Sequence, residues 1–109
     1  MSRTFEELQN LYREIVRRFE TIEPREWKAE GAMIELTKQA GELARQVMLM
    51  EHYYAFEEDE AAVRTRLGNE MADVIAQLIR LSDYYGIDIE QAFVEARQDE
   101  DMYLRERGV

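Results

Sequence analysis

The chain has 109 residues, with 24 acids against 14 lysines and arginines, a net charge of −10 and no cysteine. That charge argues against binding nucleic acid polymers, which depends on cations displacing phosphate counterions. The missing cysteines exclude disulfides and thiolate zinc sites and fit a cytoplasmic location. No apolar run approaches the ~20 residues of a membrane span.

The length suits a single domain, 1–109, whose modest core leaves surface for association. One proline and five glycines leave few turns, so a few long helices are expected. Thr4-x-x-Glu7 has the form of a capping box, in which hydroxyl and carboxylate satisfy each other's end amides. Phe5, Leu8, Tyr12, Ile15, Phe19 and Ile22 then recur at three and four, predicting a first helix that ends before Pro24. Pro24 suits the first turn of a second helix, where its missing N–H costs nothing. That helix carries Leu36, Ala40, Leu43, Val47 and Met50 to about Tyr54. Met33, Ala44 and Met48 make a second apolar patch on it, either further core or a subunit interface.

Glu57-Glu58-Asp59-Glu60 reads as an acidic connector into a third helix striped by Val63, Leu67, Met71, Val74, Leu78, Leu81 and Tyr85. Gly86 suits its C-terminal turn. Asp88-x-x-Gln91 caps a fourth helix bearing Ile89, Phe93, Ala96 and Tyr103, expected to fray from Arg105. No segment alternates with period two. The expected fold is all-α, a four-helix bundle.

Two windows carry the chemistry. Leu36-x-x-Gln39-Ala40-x-Glu42-Leu43 superposes on Leu67-x-x-Glu70-Met71-x-Asp73-Val74, each with two oxygen-bearing side chains three apart beside an apolar stripe. That spacing puts both groups on one helix face. If helices two and three pack antiparallel, the two shoulders meet across a groove that Glu35, Gln46 and Gln77 extend. Carboxylates from two helices are the ligands that Mg²⁺ or Mn²⁺ takes, with positions left for water and phosphate oxygens. A spare carboxylate can then orient a water. The plain alternative is that these acids are solvated helix faces. A di-iron site would add Glu-x-x-His pairs, but the residue three before His52, the single histidine, is Leu49. There is no glycine-rich phosphate loop and no nucleophile-elbow serine.

Gly41-Glu42-Leu43 followed by Glu70-Met71-Ala72-Asp73-Val74, with Tyr85-Gly86-Ile87-Asp88 before a last helix, resembles the MazG-type all-α nucleoside triphosphate pyrophosphohydrolases. Their pattern is Glu-x-x-Glu, a spacer, then Glu-x-x-Asp, and 27 residues separate Glu42 from Glu70 here. The likeness covers about Phe5 to Arg97. It implies Mg²⁺-dependent cleavage between the α- and β-phosphates of a nucleoside triphosphate, in a homodimer or tetramer with the site beside the subunit interface. It implies Glu42, Glu70 and Asp73 as metal ligands, with Glu42 or Glu70 orienting the attacking water. The family's first Glu falls on Gln39, a neutral amide that can coordinate through its oxygen but cannot act as a base. Glu35, one turn away, is the residue expected to compensate. Arg97 lies where the family contacts triphosphate, and Trp27, like Tyr53 and Tyr54, offers a ring for a base; both Arg97 and Trp27 are candidate substrate contacts. The substitution at Gln39 leaves a rival open: a degenerate helical dimer that binds nucleotide or metal, or regulates, without catalysis. A structural helical subunit with no ligand is a third reading.

Overall fold

A computed structural model describes residues 2–55 and 59–109. Those residues form four α-helices and no strand: α1 (Phe5–Glu20), α2 (Ala29–Met50), α3 (Glu60–Tyr85) and α4 (Ile89–Glu106).

The first helix starts as its sequence predicts. The Glu7 amide donates to Thr4 Oγ1 at 3.1 Å, and the Thr4 amide donates to Glu7 Oε1 at 3.2 Å. Glu6 and Glu7 in the first turn and Arg17 and Arg18 in the last complement the helix dipole.

The second helix corrects two expectations. Pro24 does not enter its first turn; residues 24–28 form a link, and Lys28 is the N-cap, with extended backbone (φ −107°, ψ −174°). Tertiary packing overrides the local preference of proline. The Trp27 ring lies under the Arg80 guanidinium, 4.5 Å from the ring centre, and a Cβ at Gly31 would sit 3.5 Å from the ring. At its other end α2 stops at Met50, short of Tyr54. His52 takes φ 61°, a left-handed turn that few non-glycine residues adopt, and the Tyr53 amide closes on the Met48 carbonyl at 2.9 Å.

Glu57 and Glu58 of the expected acidic connector lie outside the described residues. Asp59 caps α3, its Oδ1 accepting from the Ala62 amide at 2.7 Å. Gly86 ends the helix at φ 66°, and the Ile87 amide returns to the Ser82 carbonyl at 2.8 Å. Asp88 Oδ1 then accepts from the Gln91 amide at 3.0 Å, and α4 stays helical past Arg105, through Glu106.

The dominant packing is α2 against α3, with α1 touching α3 less extensively. Two ties make the hairpin antiparallel and set its register. Arg66 Nε donates to Gln46 Oε1 at 3.3 Å near one end, and Arg80 covers Trp27 near the other. On α1, Arg13 grips Asp83 with two hydrogen bonds of 2.9 and 2.8 Å, and Tyr12 Oη accepts from Gln77 Nε2 at 3.4 Å. The buried apolar residues are Ala29, Ala32, Leu49, Val63 and Ile79, interleaved with buried Gln9, Gln46, Gln77 and Ser82.

The hairpin is therefore turned from the expected stripes towards their polar shoulders. Val47, Met71, Leu78 and Tyr85, all on those stripes, are exposed, as are Leu8 and Phe19 of α1 and Ile22, which lies beyond the end of that helix. Within the second patch of α2, Met33 and Ala44 are exposed and Met48 is half-buried, so the patch is not core within this chain. No residue of α4 is buried. The radius of gyration is 17.5 Å, against ~13 Å for a compact chain of this length. No helix among the described residues is long and apolar enough to cross a membrane.

Candidate functional site

The register of the hairpin decides which site residues meet. Four residues back from Gln46 on α2 is Glu42; four residues on from Arg66 on α3 is Glu70. The helical rise carries both about 6 Å from the Arg66–Gln46 bond in the same direction, so they share one level of the seam. Both are half-buried, as are Gln39 and Glu35, whereas Asp73 is exposed.

Two buried side-chain oxygens accept no hydrogen bond among the described residues, Oε1 of Gln77 and Oε2 of Glu70, and the carboxylate of the two is that of Glu70. A buried carboxylate oxygen without a donor is costly, because desolvation is not offset. A cation would supply that offset, and hard oxygen donors are the set that Mg²⁺ takes, so Glu70 fits such an ion.

Gln39 donates from Nε2 to Glu35 Oε1 at 2.9 Å. A carboxylate only accepts, so the amide nitrogen must face Glu35 and the amide oxygen must face away from it. Glu35 also pairs with Lys38 Nζ at 3.3 Å. It is thus engaged by two donors on its own helix. Among the described residues no three of Asp, Glu and His are grouped to hold a metal ion. The two windows share the seam, with Glu42 and Glu70 level, but Glu35, Glu42, Glu70 and Asp73 do not gather into one cluster.

The two candidate substrate contacts lie elsewhere. Arg97 is exposed on α4, where it pairs with Glu100 at 2.7 Å and lies over Phe93, 4.8 Å from the ring centre. Trp27 lines a cleft of about 390 Å³ among α1, the α1–α2 link and the end of α3. Tyr12, Arg13, Ala32, Arg80 and Tyr84 are among its other walls. Ala32 and Arg80 sit one turn from Glu35 and Gln77, so the cleft opens at the end of the acidic seam. The hydrogen bond to Asp83 raises the Arg13 guanidinium pKa above its ordinary value. Sequence reasoning passed over Arg80. The signal was there: a cation set between Ile79 and Leu81 in the apolar run of α3.

Comparison with protein-family models and with curated proteins finds no match for the chain.

Proposed function

We propose that this chain is a MazG-like pyrophosphohydrolase that cleaves a nucleoside triphosphate to the monophosphate and pyrophosphate with Mg²⁺, Mn²⁺ being an alternative. The unpartnered, buried Oε2 of Glu70, level with Glu42 on the α2–α3 seam, carries this reading. Glu42 and Glu70, level on the seam, would hold the ion; Asp73 and the Gln39 amide oxygen, which the resemblance adds to the set, would have to move in to complete it, because no three acids are grouped among the described residues. When bound, the ion supplies Lewis-acid stabilisation of charge on the phosphate oxygens and lets a −10 chain admit an anion. Whichever of Glu42 and Glu70 is turned to the attacking water accepts its proton, the water oxygen bonds to phosphorus, and the bond to the bridging α–β oxygen breaks.

The working unit is proposed to be a homodimer or a pair of dimers. The chain exposes 8694 Å², whereas a compact monomer of 13.0 kDa exposes roughly 6,300 Å². The excess matches one side of a large obligate interface.

The test is pyrophosphate release from canonical, deoxy- and oxidised nucleoside triphosphates with Mg²⁺ or Mn²⁺. Activity in the natural chain and its loss in Asp73→Ala are expected; no release above that variant on any substrate would overturn the enzymatic reading.

One observation favours the rival, a binding or regulatory module without catalysis. Gln39 occupies the family's acidic position and hydrogen-bonds the very carboxylate, Glu35, that would replace it. In that case Gln39→Glu gains activity the natural chain lacks; equal activity in both chains counts against the rival.

A further inference from the structure

The cleft around Trp27 has a chemistry of its own. Four cations line it, Arg13, Arg17, Lys28 and Arg80, against two acids, Glu20 and Asp83. Three of the four are paired with acids, Arg13 with Asp83, Arg17 with Glu14 and Arg80 with Glu23. Three of its walls are aromatic, namely Tyr12, Trp27 and Tyr84. Its volume lies within the range of small-molecule sites.

Arg80 is the centre of the argument. Its side chain is only 14% exposed, yet among the described residues it makes no hydrogen bond. Its ion pair with Glu23 spans 3.5 Å, well beyond the 2.7–2.9 Å of a charge-assisted hydrogen bond. The Trp27 ring supports one face of the guanidinium and offers its edge donors nothing. A planar fork of donors, held in place and lining a cleft, is suited to a phosphate. At the rim, Lys28 has no ion-pair partner among the described residues, and Tyr84 exposes about half of its surface, 53%.

We infer that this cleft binds a small aromatic phosphomonoester, represented by a 5′-nucleoside monophosphate, without a metal ion. Arg80 and Lys28 take the phosphate, while Tyr84 takes a face of the aromatic group. The inference rests on the cleft alone and stands or falls independently of the acidic seam.

The chain has one tryptophan, and it lines this cleft, so its fluorescence reports occupancy. Titrating the full-length protein in EDTA with 5′-nucleoside monophosphates, followed by Trp27 emission and by calorimetry, is expected to give saturable binding. Lys28→Glu, on an exposed side chain, and Arg80→Lys should each weaken it by about tenfold, the loss of one charge-assisted contact. Tyr84→Ala should weaken it too, while Glu42→Gln leaves it unchanged. Circular dichroism confirms that each variant is folded. Lys28→Glu keeps the test valid if Arg80→Lys does not fold. Absence of saturation at millimolar ligand, or equal affinity in Lys28→Glu, would overturn the assignment. So would inorganic phosphate or the bare nucleoside binding as tightly as the monophosphate.

Discussion

At the scale of single residues, Glu70 and Gln39 pull in opposite directions. Glu70 keeps a buried oxygen with no donor, which costs the metal-free fold. Glu70→Gln removes the charge at constant shape, so the apo protein is expected to gain about 1 kcal/mol by denaturant melts while losing its Mg²⁺-induced thermal shift. A fall in apo stability would show that Glu70 is already satisfied. Gln39 instead settles its neighbour, Glu35, at 2.9 Å. Gln39→Glu sets two carboxylates together; a drop of about 1 kcal/mol without metal, reduced by Mg²⁺, is expected by the same melts. The sequence made the pairing of the two windows legible, because spacing alone fixes a helix face. It could not show that Glu35 is occupied, since a hydrogen bond between side chains depends on rotamers that spacing does not set.

At the scale of elements, the helix ends were the most legible feature where one side chain closes one amide. Thr4–Glu7, Asp88–Gln91 and Gly86 all behave locally, and each was visible as a short motif. Asp88→Ala is expected to cost about 1 kcal/mol, read by chemical denaturation, with the loss concentrated in hydrogen-exchange protection of the first turn of α4. The start of α2 was illegible for the opposite reason. Its boundary follows from Trp27 packing between Gly31 and Arg80, and Arg80 is more than fifty positions away in sequence. The hairpin's rotation was hidden for a related reason. Leu and Val stripes point to where apolar surface is densest, but the seam holds Gln46, whose oxygen meets Arg66, and Gln77, whose amide nitrogen meets Tyr12 while its buried oxygen has no partner among the described residues.

At the scale of the whole molecule, the apolar surface left over sets the behaviour. Phe93, Met102 and Tyr103 on α4 are each more than half exposed, and Phe5, Ile75, Leu78 and Phe93 line an apolar groove. If a second copy covers these faces, the melting temperature rises with protein concentration, because association stabilises only the folded state. Phe93→Glu should then shift sedimentation towards the monomer and lower that temperature by several degrees. A natural chain that sediments as a monomer at every concentration would contradict the dimer.

The α2–α3 hairpin also has a kinetic meaning. Its helices adjoin in sequence and hold most of the packing, so little loop entropy is lost in closing it. Leu49→Ala and Val63→Ala should therefore slow refolding about as much as they destabilise, whereas substitutions in α4 should mainly hasten unfolding. The unit that carries the acids would then be the first part of the chain to acquire its shape, with the buried oxygen of Glu70 already in place before anything arrives to meet it.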